Sequence, residues 1–573
     1  MRVFAFSLGS RVPQAISLLL FTLLAAASLH AQVVIVEAPM IHTSNTASAD
    51  PPVPQPATRS CTVQLFTNLE FADYNTKNYS YTPPASCPGP WSKVIFVADF
   101  TVTEGTQFDR TAQFYLGGAN IFYGTTAEPR SNLSPSWRVE RDVTDLTSVF
   151  ESPQAGTAIL GNFVGVYNGT DYNGLIYADA HLIFFQTGPE YPAPQTPNLV
   201  IGVPGDNGAA TLNTSASVYT QALTLPTNVT SAYLDVYAQG QSNDEFWYFS
   251  VPNNLTTLLD DYGNTGFRET EITIDGKPAG VAPVYPWIFT GGIDYFMWEP
   301  IPGVQTLNFK PFRVDLTPFA SLLSNGKTHT VGLQVFNANS YFLVAANLLV
   351  YTDPLLKTVT GELVSNTLPA EPTPTVIDGI TSGGNGDAYG TVTIESSRPY
   401  AITGYVNTSL GKVQTVVNED VEFRQVQYFT IDSTEYVQNV VQSTSVTGGS
   451  TTTLNGVTTA LNTDYSYPFT VDYAAVLASN GSETVTTQTD QQYLVGSTQW
   501  LGTNSEYSSN ESNTVTAQDT LNFDSSGNFT GISNTKSSQT EVLGDTFGYC
   551  YSRTLNSAGL KLTGVIFNAS CEN

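Results

Sequence analysis

Charged residues and histidine are scarce in this sequence. Only 12% of the 573 residues are charged, and the chain contains four histidines. No HExxH, GxSxG or P-loop pattern occurs, and the histidines lie in the predicted N-terminal signal and tail or in predicted strands. The four are His30, His42, His181 and His329. A zinc-hydrolase or Ser-His-Asp site is therefore disfavoured. A hydrolytic site would have to be built from carboxylates, and neither a metal nor a cofactor is expected.

Basic residues are few beside the acidic ones. The 21 Lys and Arg residues stand against 49 Asp and Glu residues, which gives a formal net charge of −28. Such a negative field repels nucleic acid and anionic membrane surfaces, so we expect neither as a partner, and we expect a monomer. The isoelectric point of about 4.3 suits work in acid, although an acidic surface also favours solubility.

Long apolar runs are lacking except near the N-terminus. Two arginines, an apolar run from Ala15 to Ala27 and small residues before a cut after Ala31 predict a secretory signal peptide over 1–31. The run is too short to span a membrane. We therefore expect a secreted protein, extracellular or periplasmic, whose mature chain begins with a flexible tail over 32–56.

Cysteine is limited to four residues, with no CxxC pair. Four cysteines allow three disulfide connectivities, and an exported chain is expected to form disulfides. We favour the sequence-local pairing, Cys61–Cys87 and Cys550–Cys571. Each bridge would stabilise the fold by about 3 kcal/mol by constraining the unfolded chain.

Amphipathic helical patterns are hard to find, whereas short alternating runs between turns are frequent, which predicts an all-β fold.

Two segments also resemble each other, RVERDVTDLTSVF (138–150) and RVDLTPFASLL (313–323). Each has Asp-x-Thr, then one turn of helical spacing, and a strand follows. Thr317 is expected to cap the second helix, with Pro318 at its first position.

This repeat predicts the domain organisation. Each copy combines strands, one short helix and closing strands, which is typical of an antiparallel β-sandwich or jelly roll. We place two such tandem domains at 57–190 and 195–355. Residues 376–573 are rich in Thr, Ser and Val, which predicts a C-terminal β domain. We expect this domain to be a sandwich that packs against the two tandem domains. It has no histidine and no cluster of acids with aromatics, so it is expected to contribute no catalytic group.

An acid and a base stand side by side in TQFDRTAQFYLGG (106–118), which predicts a strand that runs into a turn. Asp109 and Arg110 follow Phe108 there. The second copy has Phe267-Arg268-Glu269 at the corresponding place, so the fold itself does not require an Asp. A charge kept in a strand without a structural need indicates a functional site.

A second group of acids and aromatics lies in GQSNDEFWYFSVPNN (240–254). Asp244 and Glu245 directly precede Phe246-Trp247-Tyr248. A carboxyl group beside aromatic rings gains proton affinity because it loses hydration, as a general acid requires. Five of the six tryptophans lie in the tandem domains, where indole rings suit carbohydrate. Core packing is the alternative reading for each of them.

Four motifs occur together and in order: FDRTAQFYLGG, NDEFWYFSVPN, FRETEITIDG and TGGIDYFMWEPIPG (290–303). Over about 57–360 the sequence resembles the acid-active peptide-N-glycosidase A family and, more distantly, the F-type peptide-N-glycosidases. The resemblance implies two β-sandwiches. It also implies hydrolysis of the side-chain amide of a glycosylated Asn, which releases a glycosylamine and leaves Asp. The implied partners are N-glycosylated peptides and glycoproteins.

The resemblance also assigns roles to residues. Asp109 matches the essential Asp of the F-type Trp-Asp-Arg motif, and Glu245 is the closest counterpart of a second F-type carboxylate. No acid in 161–174 matches the third F-type acid. The substrate-binding candidates are Arg110, Asp244, Trp247, Arg268, Trp298, Trp137 and Glu128.

The implied chemistry makes Asp109 the group that orients and deprotonates water or contacts the first sugar, while Glu245 holds the water or supplies a proton. Arg110 is expected to keep Asp109 ionised, because a nearby cation lowers the pKa of a carboxyl group. Asp109 and Glu245 should then face each other across a cleft between the two sandwiches.

Two other function classes remain open. A non-catalytic, secreted carbohydrate-binding or adhesion protein would also suit the tryptophan content and the Thr-rich C-terminal third. A two-carboxylate glycosidase, which cuts between sugars, would use a similar pair of acids.

Overall fold

The computed structural model of the protein describes residues 39–205, 208–568 and 571. The predicted signal peptide and residues 32–38 of the predicted tail lie outside these ranges. The regular secondary structure of the described chain is mainly antiparallel β-sheet, which confirms the predicted all-β fold. None of its helices is long and apolar enough to cross a membrane.

The first domain is a sandwich of two four-stranded antiparallel sheets. Its strands are β1 (Ser60–Phe71), β2 (Lys77–Tyr81), β3 (Trp91–Val102), β4 (Thr111–Leu116), β5 (Ala119–Thr125), β6 (Ser136–Asp142), β7 (Gln154–Leu160), β8 (Gly165–Tyr167), β9 (Thr170–Tyr172) and β10 (Ile176–Gln186). One sheet has the order β1-β10-β3-β6 and the other β2-β7-β4-β5, while β8 and β9 form a separate hairpin. Phe96 of β3 stacks on Phe122 of β5 across the core, with ring centroids 5.9 Å apart.

The second domain repeats this architecture. Its strands are β11 (Leu199–Val203), β12 (Ala210–Leu212), β13 (Val218–Leu223), β14 (Val229–Gln241), β15 (Glu269–Ile274), β16 (Lys277–Pro283), β17 (Phe312–Asp315), β18 (His329–Phe336) and β19 (Tyr341–Thr352). One sheet has the order β11-β19-β14-β17, with β12 also paired to β19, and the other has the order β13-β18-β15-β16. Both tandem sandwiches are therefore present.

The short helices fall where the repeat predicts them, but the cap differs. The first copy has a 3-10 turn, Thr144–Leu146, and an α-turn, Thr147–Phe150, and the second has Thr317–Phe319 and Ala320–Leu323. Asp315 Oδ1 accepts the Thr317 N–H at 2.8 Å, so Asp315 makes the local contact that we assigned to Thr317. The remaining helical turns are Ser242–Phe249, Thr256–Leu259, Tyr295–Trp298 and Gly384–Gly386.

The C-terminal region is one sheet and not a sandwich, so that expectation is wrong. Its strands are β20 (Thr360–Asn366), β21 (Thr375–Asp378), β22 (Thr381–Ser382), β23 (Ala388–Thr408), β24 (Gly411–Ile431), β25 (Glu435–Leu454), β26 (Val457–Leu477), β27 (Glu483–Leu501), β28 (Asn504–Phe523), β29 (Phe529–Asp545), β30 (Cys550–Ala558) and β31 (Lys561–Phe567). Consecutive strands pair from β23 to β31. The second domain covers one face, so no second sheet is needed to bury it.

The C-terminal sheet completes the core of the second domain. Phe423 of β24 contacts Phe267, and Phe469 of β26 contacts Tyr248, each with ring centroids 4.9 Å apart. Buried glutamines of the sheet also bind the second domain's backbone, as when Gln425 Nε2 donates to the Tyr248 carbonyl at 2.8 Å. The apolar cluster is continuous across this boundary.

Residues 42–50 lie against the C-terminal sheet and Val53 packs against the first domain, so a flexible tail is the wrong description of this segment. Ala49 is fully buried, and its N–H donates to Gln539 Oε1 at 2.6 Å. The His42 N–H donates to the Leu562 carbonyl at 2.7 Å. Small side chains let this segment approach the sheet closely enough to find backbone partners. Both predicted disulfides, Cys61–Cys87 and Cys550–Cys571, are present.

Candidate active site at the junction of the two sandwiches

Asp109 lies where the two tandem domains meet. It stands just before β4, and Glu128 follows β5, the neighbouring strand of the same sheet. The second domain contributes Gly291, from the loop between β16 and the Tyr295–Trp298 turn. The Gly291 N–H donates to Asp109 Oδ2 at 2.7 Å, and the Asp109 N–H donates to Glu128 Oε2 at 3.0 Å.

Hydroxyl groups fix these segments to one another. The Arg110 N–H donates to Thr126 Oγ1 at 2.9 Å, which ties the start of β4 to the end of β5. Thr290 Oγ1 accepts the Glu128 N–H at 2.8 Å and donates to the Thr126 carbonyl at 2.8 Å. The second domain is thereby fastened to the loop that carries Glu128.

The Gly-rich loop approaches both acids too closely for a side chain. A Cβ at position 291 would overlap Glu128 Oε2 and would lie 3.1 Å from Asp109 Oδ2. Trp298 Nε1 donates to the Gly292 carbonyl at 2.9 Å and so holds the loop from behind. An alanine at 291 would therefore displace the Glu128 carboxylate that accepts the Asp109 N–H.

Glu245 is the third carboxyl group of the site. It lies in the helical turn Ser242–Phe249, directly after β14 of the second domain, and is half-buried. The charges of Asp109 and Glu128 both act on it, although the three residues come from distant parts of the chain. The structure thus brings Asp109 and Glu245 to one place between the sandwiches, as the sequence predicts.

Burial shifts the pKa of all three carboxyl groups upward, to different values. The pKa of Asp109 rises to about 6, because loss of hydration outweighs the Gly291 N–H and the Arg110 charge. Burial and then the Asp109 charge raise the pKa of Glu128 to about 7. Burial and the charges of both other acids raise the pKa of Glu245 to about 8. The site therefore holds a stronger and a weaker acid side by side.

Arg110 acts on Asp109 less than we expected from the sequence. Its charge lowers the pKa of Asp109, but burial has the larger effect and the net shift is upward. The Arg110 guanidinium lies over the Phe108 ring, 5.2 Å from its centroid. Its buried Nε has no hydrogen-bond partner among the described residues. A buried donor without an acceptor is suited to an oxygen of a ligand.

Asp244 and Arg268, two predicted substrate-binding residues, form a buried ion pair instead. Arg268 Nη2 donates to Asp244 Oδ1 at 2.8 Å, and both side chains are essentially inaccessible. Asp244 Oδ2 accepts the N–H groups of Asn339 and Ser340, each at 2.7 Å. The pair anchors the turn that carries Glu245, so its prediction as a substrate contact is wrong.

The predicted tryptophans are also core residues. Trp137 stacks on Phe100 with ring centroids 5.2 Å apart, and Trp247 lies in the core of the second domain. Trp298 is buried behind the Gly-rich loop. Their exposed fractions are 8%, 2% and 4%. None of the three offers a ring face to a sugar, so their substrate-binding prediction is wrong.

Glu128 is the acid that completes the site. The sequence contains no match for the third F-type acid in 161–174, and we predicted Glu128 as a substrate contact only. The structure places Glu128 against the backbone of Asp109, and each charge raises the pKa of Glu245. The hairpin pattern in the sequence could have indicated this role of Glu128. Strands β4 and β5 form a hairpin, which brings Asp109 and Glu128 to the same end of the sheet.

The arrangement is suited to acid–base chemistry without a metal ligand set. At a pH between about 6 and 8, Asp109 is mainly ionised and Glu245 is mainly protonated. One group can then accept a proton from water while the other supplies one to a leaving group. Within the described ranges, no group of three or more His, Cys, Asp or Glu side chains is placed to hold a metal ion.

Tandem antiparallel sandwiches with a carboxylate site at their junction define the class of protein. The chain belongs to the family described as peptide N-acetyl-beta-D-glucosaminyl asparaginase amidase A, whose sequence model matches residues 51–369. A relative from almond (Prunus dulcis), peptide-N4-(N-acetyl-beta-glucosaminyl)asparagine amidase A, is 30% identical over 388 residues. The match covers 64% of this chain and spans 66% of the length of the almond protein.

Two solved structures are also similar. PNGase F, a glycosylasparaginase from Flavobacterium meningosepticum, is 14% identical, and the match covers 51% of this chain and 96% of that chain, with a TM-score of 0.34. PNGF-II is 14% identical, and the match covers 51% of this chain and 65% of that chain, with a TM-score of 0.36.

Proposed function

We propose that this protein is a peptide-N-glycanase. It hydrolyses the amide bond between the first sugar of an N-glycan and the side chain of Asn, which releases a glycosylamine and leaves Asp. Membership of the amidase A family supports this activity. The observation that carries the proposal is the cluster of Asp109, Glu128 and Glu245, whose pKa values are set apart by burial and by one another.

In the proposed reaction Asp109 accepts a proton from a water molecule, whose oxygen attacks the amide carbon. The carbonyl oxygen gains negative charge in this step, and the unpartnered Nε of Arg110 is the donor best suited to stabilise it. The C–N bond then breaks, and Glu245 gives its proton to the leaving nitrogen. Exchange with solvent returns a proton to Glu245 and removes one from Asp109.

Glu128 acts through Asp109 in this scheme. It accepts the Asp109 N–H and so fixes the backbone that presents the base. Its charge also increases the proton affinity of Glu245 and thereby keeps the acid protonated. We assign it a positioning and tuning role, with Asp109 and Glu245 as the reacting acids.

We further propose that the protein works outside the cytoplasm, on N-glycosylated peptides and glycoproteins. The signal-like N-terminal sequence supports export, and the two disulfides suit an oxidising compartment. Because burial raises the pKa of Asp109 to about 6, the proposed base favours activity near neutral pH, not in the acid that the isoelectric point suggests.

Mass spectrometry of a glycopeptide after incubation with the protein tests the activity. An Asn-to-Asp mass change with release of the whole glycan is expected. A sugar left on Asn would identify a glycosidase, and an unchanged glycopeptide that still binds the protein would identify a binding protein. Either of these outcomes contradicts the proposal.

A further inference from the structure

An exposed aromatic surface lies beside the candidate active site. It consists of Phe108, Phe163, Tyr167 and Tyr172, and we call it the aromatic rim. Phe108 and Tyr172 have ring centroids 4.9 Å apart, Tyr172 and Phe163 6.0 Å, and Phe163 and Tyr167 6.5 Å. The rings thus form a row that begins at the neighbour of Asp109 and ends at Tyr167 on the β8–β9 hairpin.

Two of these rings are open to solvent, unlike the tryptophans, and the other two, Phe163 and Tyr172, are half-buried. Phe108 is 45% exposed and Tyr167 is 62% exposed. The core of the first domain does not include them. An exposed apolar patch beside a polar site is typical of a ligand surface.

The hairpin is fixed to the loop that carries Asp109. Thr106 and Tyr172 form a parallel bridge, and the Thr106 N–H donates to Asn173 Oδ1 at 3.0 Å. The N–H of Asn173 donates in turn to the Thr106 carbonyl at 3.1 Å. The aromatic rim therefore keeps its place relative to Asp109.

We propose that the aromatic rim is a subsite for the oligosaccharide of the substrate, beyond the sugar attached to Asn. Flat rings can stack on the C–H faces of successive sugars, and the exposed, hydrogen-bonded pair of Asp171 and Asn173 lies beside the rings. A row of rings on a raised hairpin suits a chain of sugars better than a peptide side chain, which would require a pocket. This inference rests on the proposed function.

Tyr167→Ala tests this subsite, because Tyr167 is the most exposed ring of the aromatic rim. Initial rates are measured with one peptide that carries either a single N-acetylglucosamine or the pentasaccharide core of an N-glycan. We expect kcat/KM to fall about tenfold for the pentasaccharide through KM, with little change for the single sugar. Tyr428→Ala, which removes a 48% exposed tyrosine from the C-terminal sheet, is the matched control.

An equal loss for both substrates, or none for either, would overturn the subsite, and so would a loss that follows peptide length instead of glycan length. A binding assay separates this result from failure of the proposed function. Titration of the free pentasaccharide into Asp109→Asn protein needs no turnover. We expect Tyr167→Ala to weaken this binding about tenfold, and unchanged binding would count against the aromatic rim even if no amidase activity were found.

A second inference concerns two buried carboxyl groups, Asp294 and Asp519. Asp294 Oδ1 accepts the Phe296 N–H at 2.8 Å and so begins the turn that follows the Gly-rich loop. Among the described residues, no N–H or hydroxyl donates to Asp294 Oδ2 or to either carboxyl oxygen of Asp519. Each of the two carboxyl groups shifts the pKa of the other, which puts them side by side. Two acceptors can make such a contact only if they share a proton.

We infer that Asp519 of the C-terminal sheet is a positioning residue that holds the 291–298 loop through a proton shared with Asp294. The same loop stacks Phe296 on Phe529 of the sheet, with ring centroids 5.7 Å apart. Since Gly291 donates to Asp109, this loop connects the sheet to the reacting acid.

Few other charges surround the pair. On the loop side the titratable neighbours of Tyr295 are Glu128, Arg130 and Glu299, and Arg130 is paired to Glu299 at 2.7 Å. On the sheet side Lys536 of β29, opposite Gln518, is exposed. Burial and the Asp294 charge raise the pKa of Asp519 to about 8, so the shared proton is lost as the pH rises towards that value.

Two substitutions of Asp519 test this inference. Asp519→Asn keeps a donor for Asp294 at every pH, whereas Asp519→Leu removes it. We expect Asp519→Leu to lower kcat at least tenfold with little change in KM, and Asp519→Asn to retain most activity. The decrease in Tm between pH 5 and pH 8 should also be smaller in Asp519→Asn than in the wild type. Wild-type kcat in Asp519→Leu, or equal decreases in Tm, would overturn the inference.

Discussion

The Gly291 N–H donates to Asp109 Oδ2 at 2.7 Å, and this hydrogen bond crosses from the second sandwich to the first. The acid that we assign as the base is therefore held by a residue of the other domain. Neither domain alone contains the complete site. The relative placement of the two sandwiches is consequently part of the catalytic geometry.

Substitution of Gly291 by Ala should disable the site without unfolding the protein. An added Cβ would overlap Glu128 Oε2, so the loop or the acid must move. We expect kcat/KM to fall about 100-fold, because a small misplacement of a reacting group is costly. Gly384→Ala, at a glycine with no atom near its added Cβ, is the control. Equal activity of the two variants would contradict the proposed contact.

The sequence predicted the all-β fold class, which the structure confirms. It also predicted that Asp109 and Glu245 meet, and in the structure the charge of Asp109 acts on Glu245. The order of the motifs and the repeated Asp-x-Thr turns made these predictions possible, because both patterns depend only on spacing along the chain. The roles of Asp244 and Arg268 could not be predicted in this way, because burial of an ion pair depends on distant segments such as Asn339–Ser340. Sequence alone also could not show that the C-terminal strands complete a neighbouring core. Secretion and a monomeric state stay predictions.

The pH dependence of kcat/KM should be bell-shaped. Asp109 must lose its proton and Glu245 must keep its own, so we expect limbs near pH 6 and pH 8. Glu128→Gln should move the alkaline limb to lower pH, because it removes a charge that raises the pKa of Glu245. Rates measured from pH 4 to pH 9 check both. A profile that Glu128→Gln leaves unchanged would argue against electrostatic contact among the acids.

The folded state should become less stable as the three carboxyl groups of the site ionise. Folding raises the pKa of Asp109, Glu128 and Glu245, so the folded state binds these protons more tightly than the unfolded state. The stabilisation is fully present below about pH 4 and is lost as the pH rises to about 8. Tm scans of the wild type beside the three Gln or Asn variants measure these contributions separately from the rest of the protein.

Asp244→Asn should act on stability more than on chemistry. It leaves the buried Arg268 charge without its partner, and loss of one partner of a buried pair costs about 3–5 kcal/mol. Thermal unfolding is the measurement, with Asp99→Asn, which breaks an exposed pair with Arg138, as the control. An unchanged Tm together with a raised KM would instead return Asp244 to the list of substrate contacts.

Removal of the C-terminal sheet should prevent stable folding of the tandem domains. The sheet buries Phe267 and Tyr248 of the second domain. A chain that ends at residue 360 would therefore expose these rings and the apolar side chains around them to water. We expect such a fragment to be aggregated or to lack a cooperative unfolding transition. A folded, active fragment would show that the sheet is an accessory unit.

The rate of glycopeptide deglycosylation by Asp109→Asn tests the account most directly. The substitution keeps the size of the side chain and an oxygen that can accept the Gly291 N–H, but it removes the base. We expect the rate to fall by ~10²–10⁴-fold, while the circular dichroism spectrum and Tm stay close to those of the wild type. A folded Asp109→Asn protein that keeps more than about a tenth of the wild-type rate would contradict the assignment of Asp109 as the base.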